Sequence, residues 1–136
     1  MNDGGARVRI GLVAAAAALC LGMGGAAASE PPSLERGEAL WAKCHSCHTY
    51  QRGGRNLVGP RLYGVFGRKA GSVSDYHYSE AMKKSGIVWN DATLDGYLAA
   101  TQDFMPGNKM YGGLAIEQDR IDLLYWLKKV TAPPGR

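Results

Sequence analysis

Five consecutive residues, Cys44-His45-Ser46-Cys47-His48, hold the densest reactive chemistry in this chain. Two thiols three residues apart lie on one face of a single helical turn. That spacing suits bonds to the two vinyl groups on one edge of a haem. The next residue, His48, can then bring its imidazole under the ring and bind the iron. Cys-x-x-Cys-His is read as a covalent haem-attachment site for this reason. Two other chemistries use similar residues and fit less well. A thioredoxin-like redox pair needs a βαβ context, and no alternation of strands and helices surrounds the motif. A structural zinc site needs a second ligand pair. The only other cysteine is Cys20, in an apolar N-terminal run, and the only distant histidine is His77.

The second axial ligand decides what such an iron does. An open sixth position admits oxygen, peroxide or a gas, whereas a thioether closes it and raises the potential. Met82, Met105 and Met110 are the candidates downstream of the motif. Met110 follows Pro106-Gly107-Asn108-Lys109, a turn able to carry a loop over the opposite haem face. Met105 precedes Pro106 and Met82 lies among helix formers, so both read first as packing residues. Spacing favours Met110 and leaves the other two, and His77, open.

The elements that must position these groups are short helices joined by glycine-rich loops. Ser33 is a plausible N-cap for a helix running to about the motif. Gly37, Leu40, Trp41 and Cys44 recur at the spacing of a buried helical face. Residues 53 to 71 are rich in glycine and contain Pro60, which predicts an irregular loop. A short helix is predicted over 79–84. Another begins near 91–93 and buries Leu94, Tyr97 and Leu98. A last helix over 117–130 carries Leu123, Trp126, Leu127 and Val130 on one stripe, and Pro133-Pro134 stops it. Trp41, Leu123 and Trp126 are read as core packing, and Gly37 with Trp126 suits a close crossing of the first and last helices. So short a set of helices is poorly placed to bury a core alone. A haem would supply that core, and the haem-free chain is expected to be largely unfolded.

Length and composition agree with one small exported domain. The chain has 136 residues. Arg7 and Arg9, a short apolar run from Ile10 and a small-residue end read as a secretory signal peptide, residues 1–28, cleaved before Ser29. Residues 29–136 form the remaining domain. The apolar run is too short for a spanning helix of about 20 residues, so no stable membrane insertion is expected. Such a signal implies the periplasm, where free cysteine pairs oxidise. Loss of Arg7, Arg9 and Asp3 with the signal leaves 14 basic and 11 acidic residues, a formal +3. That is too mild, and too scattered, for a nucleic-acid binder.

From Gly37 to Thr131 the chain resembles the class I cytochromes c, of the mitochondrial and short bacterial kind. The motifs that carry the resemblance are the Cys-His-Ser-Cys-His run, Gly59-Pro60-Arg61-Leu62-Tyr63-Gly64-Val65-Phe66-Gly67-Arg68-Lys69, Gly86-Ile87-Val88-Trp89, Tyr97-Leu98, Pro106-Gly107-Asn108-Lys109-Met110 and Arg120-Ile121-Asp122-Leu123. The resemblance implies an all-α class I cytochrome c fold, wrapped around one haem c held by Cys44 and Cys47. It makes His48 the proximal and Met110 the distal iron ligand. By the same resemblance the Pro60 carbonyl accepts the His48 N–H. Tyr78 and Trp89 donate to a buried propionate, Arg68 offsets its charge, and Tyr97 places a hydroxyl beside the Met sulfur. Three positions depart from the family's pattern: Met82 where Asn is common, Asn108 where Thr is usual, and Gly112 in place of an aromatic.

The implied function is that of a monomeric, non-enzymatic one-electron carrier. It would pass electrons from a quinol–cytochrome c reductase or a dehydrogenase to a terminal oxidase or reductase. A tethered or subunit cytochrome serving one periplasmic enzyme is the alternative. An enzyme or gas sensor with a labile Met ligand is a third class. The family's lysine ring is thin here: Lys43 and Lys109 remain, but Gln102, Asp103, Ala115 and Glu117 stand where lysines are common. Complementary charge mainly steers encounter, so only mild dependence on ionic strength is expected. Lys83-Lys84 read as a solvated helix face.

Overall fold

In the computed structural model, which describes Met1 and residues 29–134, Ser33 opens the first helix by accepting the Arg36 N–H on its hydroxyl at 3.2 Å. The expected signal peptide, with Cys20, lies almost wholly outside the described residues. Helix α1 (Leu34–Leu40) runs into a 3₁₀ turn, Trp41–Lys43. The helix therefore tightens before the Cys-x-x-Cys-His run rather than passing through it. The run itself is a turn in which the Trp41 carbonyl accepts from both Cys44 and His45, and the Cys44 carbonyl from both Cys47 and His48. Sharing one carbonyl between two N–H groups is common where helices end.

Helix α2 (Glu80–Lys84) is capped by Ser79, and α3 (Asp91–Ala99) by Asn90, whose side chain and that of Thr93 cap each other's backbone N–H at 2.9 Å. This reciprocal cap satisfies two otherwise orphaned donors. A four-residue helix, α4 (Thr101–Phe104), follows a break at Ala100 and was not anticipated. It has no side-chain cap, and a single turn leaves no periodicity to read. Helix α5 (Glu117–Thr131) has Glu117 and Asp119 in its first turn and Lys128 and Lys129 in its last. Both placements complement the helix dipole. Among the described residues all regular structure is helical, save one antiparallel bridge between Lys69 and Val88.

The main helix contact is α1 against α5. It is close because Gly37 has no side chain: a Cβ there would lie 2.2 Å from the Asp122 carbonyl oxygen and 2.5 Å from Trp126 Cβ. A polar clamp ties the same pair of helices. Asp122, 1% exposed, accepts from Arg36 Nε at 2.6 Å and from the Ser33 backbone N–H at 2.7 Å. Trp126 is buried and stacks near Trp41 and Tyr50. Full burial of an apolar side chain is worth roughly 1.5–3 kcal/mol, so this aromatic trio is a principal support of the crossing.

Residues 53–71 are irregular, as their glycines suggest, but backbone bonds hold their ends. Gly67, at φ 84°, turns the chain so that its N–H donates to the Trp89 carbonyl at 2.7 Å. Trp89 returns the bond to Arg68, and Ala70 donates to Ile87. Two residues far apart in sequence, Arg68 and Trp89, are thereby fixed side by side.

Candidate functional site

The loops and helices enclose a cavity of about 320 Å³ that opens at the surface. That size falls in the range of small-molecule and cofactor sites. Cys44, Cys47 and His48 line it, and so do Pro60, Arg68, Tyr78, Trp89, Tyr97 and Met110. All nine residues singled out in the sequence thus meet at one place. Met82 lines it too, so its role is not core packing alone. Met105, 5% exposed, belongs to the core as expected. Trp41 and Leu123, expected only to pack, also form cavity wall, whereas Trp126 does not. Leu94 and Leu98 of α3 complete the apolar lining. Their helical spacing announced a buried face but not that the face would meet a cavity.

His48 is held in one orientation. Its Nδ1 lies 2.7 Å from the Pro60 carbonyl oxygen. A carbonyl can only accept, so Nδ1 carries the hydrogen and Nε2 keeps a free lone pair. Burial lowers the His48 pKa, with the Pro60 contact opposing it. A neutral ring with its second nitrogen oriented by a backbone acceptor is the form that binds metals. Gly59 makes room for the ring: a Cβ there would stand 2.2 Å from His48 Cε1. Its own N–H donates to the Cys47 carbonyl at 2.8 Å.

Cys44 lacks the character of a reactive thiol. Burial, chiefly, pushes the Cys44 thiol above its ordinary pKa, with Cys47 adding and Lys43 opposing. Reactive dithiols show the opposite shift. No three His, Cys, Asp or Glu side chains among the described residues are arranged so that they alone could hold a metal ion. Both facts weigh against the thioredoxin and zinc readings and leave haem as the group the cavity fits. The donor set fits it as well, with two thiols and an imidazole clustered at an apolar, partly enclosed site.

The far wall carries the polar groups. Arg68 donates to the carbonyls of Tyr63 and Arg61 at 3.0 and 2.9 Å, and burial lowers its pKa. Burial raises that of Tyr78, while the Arg68 charge opposes the rise. A half-buried guanidinium beside a phenol and an indole suits a propionate that must leave water. The Tyr97 hydroxyl donates to Asn108 Oδ1 at 2.9 Å, and burial pushes its pKa up to about 12. At the mouth, Val58 and Tyr111 are strongly exposed. Lys43 pairs with Asp119 at 3.5 Å, and Lys109 donates to the His77 carbonyl at 3.0 Å. Lys83 and Lys84 both pair with Glu80 on the surface of α2.

Comparison with known proteins agrees with this geometry. The family model described as Cytochrome c matches residues 34–131. The chain is 50% identical to cytochrome c of Theileria parva over 104 residues, which is 76% of this chain and 90% of that protein. It is 45% identical to cytochrome c of Gibberella zeae over 100 residues, 72% of this chain and 94% of that one. With cytochrome c of Arabidopsis thaliana the identity is 47% over 90 residues, 65% and 80% of the two chains. These relatives are eukaryotic, and their likeness carries no information about export to a periplasm.

Proposed function

This chain belongs to the cytochrome c family, and from that premise we propose that it is a periplasmic electron shuttle with His48 and Met110 as iron ligands. Membership makes it a monohaem electron-transfer protein rather than an enzyme, with one haem c bound covalently through Cys44 and Cys47. The haem supplies a single-electron couple at its iron. What the chain's own residues do is hold, enclose and tune it. The Pro60 carbonyl keeps the hydrogen on His48 Nδ1 and so presents Nε2 to the cavity. Leu94, Leu98 and Leu123 exclude water. Arg68, Tyr78 and Trp89 provide charge and N–H or O–H donors for a propionate.

The observation that carries the reading is the convergence of His48 and Met110 on a single cavity with both cysteines. Closed ligation by nitrogen and thioether favours electron transfer over oxygen or gas chemistry. Export rests on the composition of residues 1–28, which also implies a cleaved segment ahead of the domain at 29–136. Donor and acceptor would be redox proteins of the reductase, dehydrogenase and oxidase kinds, met transiently by a monomer. No helix among the described residues is long and apolar enough to cross a membrane.

Purification of the protein from the periplasm of a maturation-competent bacterium tests these points together. The expected sample is red, signal-free by intact mass, heavier than the chain by one haem, and shows the far-red band of Met bound to ferric iron. Ready binding of carbon monoxide by the reduced protein would refute the closed ligand set. A tethered or dedicated-subunit form is the second reading, favoured by the weak lysine ring at the cavity mouth. An uncleaved N-terminus in the intact mass would select it.

A further inference from the structure

Asn108 is a buried amide, 1% exposed, with every hydrogen-bonding position used. Its Oδ1 accepts from the Tyr97 hydroxyl at 2.9 Å and from the Met110 backbone N–H at 2.7 Å. Its Nδ2 donates to the carbonyls of Thr101 and Met105 at 2.7 and 2.8 Å. An Asn oxygen offers two lone pairs and its nitrogen two hydrogens, so this side chain is saturated. The orientation of the amide is unambiguous, because a backbone N–H faces one end and two carbonyls face the other. The opposite side of the Met110 peptide is held as well. Its carbonyl accepts from Thr101 Oγ1 at 2.7 Å and from Gln102 Nε2 at 3.0 Å. The Pro106-Gly107 turn, with Gly107 at φ 83°, brings the loop back under α4 to make these bonds.

We propose that Asn108 is the positioning residue for Met110, locking its peptide onto α3 and α4 and claiming the Tyr97 hydrogen that would otherwise be free for the Met110 sulfur. A phenol has one hydrogen to donate, and here Asn108 Oδ1 takes it. Two consequences follow. The loop resists opening, because lifting Met110 breaks bonds to a buried, saturated amide. The sulfur is electronically bare towards Tyr97, so the contribution of Tyr97 to the potential depends on Asn108. The inference deepens the reading of Met110 as an iron ligand and rests on it.

The test uses the ferric holoprotein, with imidazole as a probe that binds iron only when Met110 leaves, followed by loss of the far-red band. Asn108→Ala should bind imidazole about tenfold more tightly or better, since one unsatisfied buried group is already worth about that factor. Asn108→Thr, which retains one hydroxyl, should fall between the two and serves if the alanine variant does not fold. The reduction potential is the second readout. Tyr97→Phe should shift it more in the Asn108→Ala background than in the unaltered chain, because only there can the hydroxyl reach sulfur. Imidazole affinity within about twofold of the unaltered chain in both Asn108 variants, or an equal Tyr97→Phe shift in both backgrounds, would overturn the proposal. Met110→Ala separates the two readings. Persistence of the far-red band in that variant would remove Met110 as ligand. Its loss, with Asn108 variants unaffected, would sink the positioning role alone.

Discussion

Each reactive side chain here is defined by one neighbour. His48 is a candidate ligand because Pro60 contributes an acceptor that cannot donate. Burial pushes the Cys44 thiol above its ordinary pKa. Gly59 is the least conspicuous member of the set, yet its missing Cβ is what admits the imidazole. Replacing Gly59 by Ala puts carbon 2.2 Å from His48 Cε1, so the imidazole can make room only by turning away from the Pro60 carbonyl that orients it. The expected result is a fall in covalently haem-bearing protein at equal expression, read by haem staining. Any loaded fraction should be destabilised by about 1–3 kcal/mol in denaturant titration, the usual cost of overpacking.

Among the elements, the crossing of α1 and α5 carries the fold. Gly37→Ala should lower stability by at least about 1–3 kcal/mol, because the new Cβ meets backbone of α5 rather than a movable side chain. The denaturation midpoint of the holoprotein checks this. Asp122 supplies the matching polar tie. Its hydrogen bond from Arg36, above all, holds the carboxyl below its usual pKa, with the Ser33 N–H assisting. A carboxyl with a depressed folded-state pKa stabilises fully above its unfolded value and loses that contribution as pH falls through the folded value. The stability gap between the unaltered chain and Asp122→Asn should therefore be constant near neutrality and shrink below about pH 4. Urea unfolding at several pH values measures it. A gap that instead widened in acid would show that another group sets the dependence.

At the scale of the whole molecule, the cavity replaces what would be the centre of a core. Helices α2, α3 and α5 and the long loops line it, and several of the buried side chains are its walls. The double variant Cys44→Ala with Cys47→Ala, produced without haem, should show far less helical circular dichroism than the loaded protein. Full native helicity would mean that the α1–α5 crossing suffices by itself. The surface around the mouth is only weakly basic: Lys43 is partly neutralised by Asp119, and the exposed Val58 and Tyr111 are uncharged. Second-order electron-transfer rates with a physiological partner should vary only mildly with added salt. A steep decline would reveal a steering field that the visible charges do not supply.

The attachment motif, the preference for Met110 and the helical stripes of α3 and α5 were legible along the chain because each depends on local spacing, whereas Pro60, Arg68, Tyr78, Trp89 and Tyr97 were reached only through the resemblance to a family. Ser33, Ser79 and the Leu94-Tyr97-Leu98 face came out where their types placed them. Helix α4 did not, since one uncapped turn leaves no pattern. Nor could sequence choose the partner of the Tyr97 hydroxyl, or show that Trp41 and Leu123 are cavity wall as well as core. Residue types and intervals determine which groups can react and which faces must be buried. Only the tertiary structure decides who shares each hydrogen bond, because donors and acceptors separated along the chain compete for a single hydrogen once folding brings them within 3 Å.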